Sequence, residues 1–189
     1  MSERLSRGWQ RLRSRVGGRI GEAARDEGGA TAIEFAMVSF PFLALLFGII
    51  AVGLFFFTTF TLENAVETAS RPLRTGEAQT AGMTKDQFKA SVCSKIPFGV
   101  HCASKLRVNV QKYNLGDNIV QPACVDAGGN LVDPAATAYA VGTANQVMLV
   151  TACLEWDLAG KIPFLTLGQM SGGGALIQAS TTFKIEPYQ

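Results

Sequence analysis

Few side chains in this sequence can carry covalent, redox or metal chemistry: one histidine, His101, and the four cysteines Cys93, Cys102, Cys124 and Cys153. A zinc site built from Cys93, His101 and Cys102 would lack the C-x-x-C spacing, and thiol catalysis would need a separate histidine to orient and deprotonate the sulfur. A thiol- or metal-dependent envelope enzyme is therefore a minor reading, and neither a metal nor a cofactor is expected. If the segment holding the cysteines is exported, as argued below, an even number of them reads as disulfides. Three connectivities are open. Cys93 with Cys102 and Cys124 with Cys153 is preferred, because a short loop after a helix separates the first pair. His101, beside that pair, reads as a surface loop residue.

A different chemistry is suggested by Gly28-Gly29-Ala30-Thr31-Ala32-Ile33-Glu34-Phe35. Glycines ahead of a helix expose backbone to a protease, and a carboxylate at a membrane edge is costly to bury unless it is paired. Cutting after Gly29 would create the partner. The new α-amine of Ala30, with a reference pKa of about 8, is cationic at neutral pH and can pair with Glu34 of the same or a neighbouring helix. The plainer alternative is that Glu34 sits among headgroups and favours the positive end of the helix dipole.

The elements that would position this segment are legible on either side of it. Before it, residues 1–29 carry seven arginines against four acids, while the remaining residues sum to −1 within an overall charge of +2. Such a balance gives no case for nucleic acid, but a basic leader is held on the cytoplasmic side of a membrane. After it, from Phe35 to Phe60, the only polar side chains are Ser39, Thr58 and Thr59. This run is longer than the roughly 20 residues that cross a bilayer and about twice a secretory h-region, so it reads as a retained transmembrane helix. Overall, 48% hydrophobic and 17% charged residues exclude disorder and agree with a membrane segment plus one domain. Pro41 predicts a modest kink, and Ala44 with Gly48 forms one small-xxx-small pair where helix backbones can approach.

The helical period does not stop at the membrane. Leu62, Ala65, Val66, Ala69 and Leu73 share a face, and Pro72 and Gly76 supply a stop, which predicts one helix from near Thr31 to near Arg71. Thr84 and Gln87 form a capping-box pattern opening a short helix with Phe88, Val92 and Ile96 on one face, ended by Pro97. Three alternating runs read as strands: Leu106 to Gln111, Gln146 to Asp157 and Ile177 to Glu186. In the first, Arg107, Asn109 and Gln111 form the polar face. The second has one apolar face and another made partly apolar by Val147 and Leu149, which suggests a central strand. Asp126 to Asn130 reads as a turn, one that would suit an extra hairpin, and Gly172 to Gly174 as a flexible connection. The fold class is α+β: a long N-terminal transmembrane helix extending into a small periplasmic domain with a short helix and an antiparallel sheet. Three regions follow: a cytoplasmic leader (1–29), a transmembrane and stalk helix (30–76) and the periplasmic domain (77–189).

The segment around Gly29 resembles a type IV prepilin processing site. The run Ala32-Ile33-Glu34-Phe35-Ala36, then Leu62-Glu63-Asn64-Ala65, Ala69-Ser70-Arg71 and Gly76, is similar to the TadE-like family of minor pilins or pseudopilins of the Tad (Flp) tight-adherence pilus system. The ending Phe183-Lys184-Ile185-Glu186-Pro187-Tyr188 is similar to that family's Glu-Pro-aromatic close. Residues 77–175 match only in outline, Ile185 stands where asparagine would be expected, and the leader is long. The resemblance implies a non-enzymatic inner-membrane subunit, cut by prepilin peptidase between Gly29 and Ala30. Its implied partners are the major pilin, other minor pilins or Tad inner-membrane assembly proteins. Glu34 and the Ala30 amine would set helix register, and Phe35, Pro41, Ala44 and Gly48 would lie on the packing helix. The rival expectation is a signal-anchored periplasmic binding or scaffold protein that is never cut.

Overall fold

The computed structural model describes residues 27–96, 101–114, 116–132, 139–161 and 168–188. Most of the basic leader and Pro97 lie outside them. The chain divides into two compact units, Met1–Gly48 and Ile49–Gln189, with the boundary inside the first helix.

That helix, α1, runs unbroken from Glu27 to Thr75. It starts earlier and ends later than the predicted Thr31 to Arg71. Pro72 does not stop it, because a proline removes only its own N–H bond and obstructs the turn before it, leaving the next residues free to continue. Termination falls to Gly76, whose φ of 86° lies in the left-handed region. One turn follows as α2 (Glu77–Thr80). Next comes α3 (Lys85–Cys93), opened by the predicted capping box: the Gln87 N–H donates to the Thr84 hydroxyl at 3.3 Å and the Thr84 N–H to Gln87 Oε1 at 2.9 Å. It closes one turn before the predicted Ile96, as Lys95 and Ile96 donate to the carbonyls three residues back, at 3.1 and 3.3 Å.

A single turn, α4 (Cys102–Lys105), leads into β1 (Leu106–Tyr113); β2 (Val147–Trp156) and β3 (Ala175–Lys184) complete an antiparallel sheet of order β1-β2-β3. The strand with apolar residues on both faces is the central one, as predicted. β3 ends before the expected Glu186 because the Glu186 N–H donates to the Arg74 carbonyl of α1 at 2.9 Å instead of staying in the ladder.

Within the second unit, the period-two and helical patterns meet in one core. Leu62, Ala65, Val66, Ala69 and Leu73 of α1 are buried in one cluster with Val108, Val110, Val150, Ala152, Leu154, Ile177 and Ala179 of the sheet; Phe88 and Val92 of α3 join it. Each large side chain so buried contributes about 1.5–3 kcal/mol. Trp156, at the end of β2, packs edge-on against Phe55, ring centroids 5.6 Å apart.

The sheet's other face departs from the expected open polar surface. Asn109 and Thr151, cross-strand neighbours, are 8% and 1% exposed, and Leu149 and Cys153 beside them are buried. Residues 116–132 are tied to this face: the Cys124–Cys153 disulfide fixes them to β2, and Gln121 Nε2 donates to Ser180 Oγ of β3, the cross-strand neighbour of Thr151, at 2.8 Å. Within them the predicted Asp126–Asn130 turn is present, bracketed by a Val125–Leu131 bridge, with Asp126 Oδ1 accepting from the Asn130 N–H at 2.8 Å and the Gly128 N–H at 2.9 Å. These bonds, the Asn130 backbone donor foremost, hold the Asp126 carboxyl below its usual range. The second predicted connection contains a hydrogen-bonded turn: Gln169 and Met170 donate to the Gly174 carbonyl at 3.1 and 3.0 Å, and Gly173 donates to the Met170 carbonyl at 2.9 Å.

Tyr139 leans on Phe88, and its buried hydroxyl has no hydrogen-bond partner among the described residues. Burial pushes its pKa up to about 12. The neutral phenol is therefore favoured by the fold. Its stabilisation is complete below the unfolded value of about 10 and is lost as pH rises toward the folded value. An alkaline absorbance titration at ~295 nm should show one tyrosine of three ionising last, and Tyr139→Phe should remove that late step alone.

Candidate functional site

Gly29, Ala30 and Glu34 lie in the first two turns of α1, inside the helix rather than ahead of it. The Gly29–Ala30 peptide thus belongs to the first turn, whose N–H groups have no intrahelical acceptor. Two glycines there, each costing about 1 kcal/mol relative to alanine, weaken that turn. Ala30 and Glu34 stand four residues apart, one turn along the same face. Glu34 is exposed there.

The surface beyond Glu34 is unusual for a water-soluble helix. Phe35 is 74% exposed, and Met37, Val38, Phe42, Leu45, Phe47 and Ile49 are exposed as well. The apolar window has mean hydropathy 2.6 and only 6% of it is buried, whereas the core helix of a soluble protein would be mostly covered. The hydroxyls in and just after the run satisfy themselves on the preceding turn: Ser39 to Ala36 O, Thr58 to Leu54 O, Thr59 to Phe55 O and Thr61 to Phe57 O, at 2.7 to 3.3 Å. A helix in hydrocarbon requires this, since no water is present to accept them. Pro41 is exposed without interrupting α1, and Ala44 and Gly48 are half-buried and one turn apart. By length and composition this helix can cross a membrane.

The cysteines form the preferred pairs, Cys93–Cys102 and Cys124–Cys153, and none is free. The first ties the end of α3 to α4; the second holds residues 116–132 on the outer face of the sheet. No group of metal-ligating side chains occurs among the described residues. His101 is exposed, at the N-terminal edge of α4. Nearby, Lys105 Nζ bridges Glu155 Oε2 at 2.9 Å and Asp157 Oδ1 at 3.3 Å, and the Glu155 contact foremost raises the lysine's pKa.

Sequence reasoning overlooked one set of contacts. Gly76 lies directly under the Tyr188 ring, the Glu186 N–H donates to Arg74 O, and the Arg74 and Glu186 side chains approach to 3.7 Å. The last is exposed and too long for a hydrogen bond, so the backbone bond and the ring contact carry the junction. Both Gly76 and the Glu-Pro-Tyr ending stand out in the sequence, but nothing in it says that they touch.

Neither curated proteins nor solved structures provide a match for this chain. A family model does, and it covers the segment just described: residues 29–71 match the model of TadE-like protein, so over that helix the chain is similar to this family.

Proposed function

We propose that this chain is a minor pilin-like subunit for assembly of a Tad pilus, a non-enzymatic part held by α1 in the inner membrane with its C-terminal domain in the periplasm. The observation that carries the reading is the spacing at the start of α1, where a glycine-flanked scissile peptide in a weak first turn stands four residues before Glu34 and an exposed apolar helix follows. Prepilin peptidase cuts between Gly29 and Ala30, removing the basic leader and leaving the span in place. The freed Ala30 amine pairs with Glu34 of its own or a neighbouring helix. Two lipid-facing helices gain little from hydrophobic transfer when they meet, so close packing and this ion pair drive association with the major pilin or other minor subunits. The arginine-rich leader supports a cytoplasmic N-terminus, and the paired cysteines support an oxidising compartment for the domain.

The deciding experiment is intact mass and N-terminal sequencing of the protein from its native membrane, under non-reducing conditions. A chain beginning at Ala30 with both disulfides intact is expected. A chain retaining Met1 to Gly29, in cells with active prepilin peptidase, would replace this reading with that of an uncut signal-anchored scaffold.

A further inference from the structure

At the end of the apolar run, the second unit has a groove of about 400 Å³ lined by Phe57, Phe60, Thr61, Asn64, Ala65 and Lys95. Phe57, Phe60, Thr61 and Asn64 follow the i, i+3, i+4, i+7 pattern of one helix face. That face passes from aromatic to polar over roughly 10 Å, comparable with the headgroup layer of a bilayer. Phe57 and Phe60 are 49% and 65% exposed, continuing the lipid-soluble surface of Ile49, Ile50, Val52, Leu54 and Phe56. At the polar end, Lys95 stands in the turn after α3, exposed and outside the ion pairs formed among the described residues. Asn64 Oδ1 already accepts from the Thr68 hydroxyl at 3.2 Å, which leaves its amide NH₂ as the donor available to a ligand. The nearby carboxylates Glu63 and Glu67 line an adjoining groove, with Gln178 to Thr181, and Asn64 borders both grooves. This groove therefore offers one cation and one amide donor above two phenyl rings, with no carboxylate in its lining.

We infer that this groove binds the headgroup phosphate of an anionic phospholipid, with Lys95 and the Asn64 amide on the phosphate and the acyl chains along Phe57 and Phe60. The inference rests on the membrane-spanning reading of α1. Such a lipid fixes the depth and rotation of the domain against the membrane. Free phosphate lacks the chains that the two rings would cover, and a zwitterionic choline lipid offers Lys95 a cation beside the phosphate.

The test uses the delipidated full-length protein in detergent, with bound lipid read by native mass spectrometry. Phosphatidylglycerol should be retained over phosphatidylcholine, and Lys95→Gln should lower its retention about fivefold, the contribution of one lysine at an anionic surface. Lys112→Gln, which removes the same charge from an exposed position on β1, should bind as wild type. Equal retention of the two lipids, an equal loss in Lys112→Gln, or displacement by glycerol 3-phosphate at the lipid's concentration overturns the inference. A carbonate wash of native membranes separates the two levels. Release of the chain refutes the span and the lipid site with it; retention together with lipid binding indifferent to Lys95 refutes the lipid site alone.

Discussion

Replacing Glu34 with alanine is expected to yield a subunit that is still cut to Ala30 but no longer enters the assembly. The proposed cleavage position at Gly29 and the weak first turn are untouched, so mass spectrometry of the membrane protein should give the same N-terminus as wild type. What is lost is the partner of the new α-amine. Removing one member of a buried ion pair costs about 3–5 kcal/mol, because the remaining charge is left uncompensated in a medium that solvates it poorly. At that cost, association with neighbouring helices falls by a hundredfold or more, by the relation of about 1.4 kcal/mol per factor of ten. Cross-linking of mature subunits in intact cells, followed by co-isolation of the major pilin, reads this directly. Glu34→Gln keeps a hydrogen-bond acceptor without the charge and should fall between. Normal co-isolation and normal piliation from the alanine variant would refute the ion-pair mechanism while leaving the processing site standing.

The second large effect is expected at Gly76, the residue that ends α1. Its φ of 86° is one that an L side chain adopts at a cost of about 1–2 kcal/mol. A methyl group there would also meet the Tyr188 ring and lie 2.8 Å from Tyr188 Cβ, so rotating the ring does not relieve the crowding. Overpacking of this kind adds about 1–3 kcal/mol. Gly76→Ala should therefore cost about 2–5 kcal/mol, a large share of the roughly 5–15 kcal/mol that holds an ordinary domain together. Thermal unfolding of the full chain in detergent, followed by near-ultraviolet circular dichroism, measures it. In a Tyr188→Ala background the steric part disappears and only the backbone part remains. The double-mutant cycle should then show about 1–3 kcal/mol of coupling. Additive costs would mean that the C-terminal tyrosine does not hold the helix end.

Much of this protein is set by periodicity, which is local and survives in a bare sequence. The apolar run from Phe35 to Phe60, the buried stripe from Leu62 to Leu73, the capping box at Thr84 and Gln87, and the central strand all follow from patterns within one element. The candidate site was legible for the same reason, since Gly29, Ala30, Glu34 and Phe35 lie within seven consecutive residues. Helix ends were less legible. Pro72 resembles a stop, but the observed one depends on the left-handed backbone at Gly76 and on the strand-end bond from Glu186 to Arg74.

Tertiary structure alone decided which distant residues meet. It placed Tyr188 on Gly76, Phe55 on Trp156, Lys95 in one groove with Phe57 and Phe60, and Gln121 on Ser180. None of these pairs is linked by spacing in the chain. Periodicity tells which side of an element is buried, but the partner that buries it is chosen by competition among all available surfaces, and that choice exists only once the chain has folded.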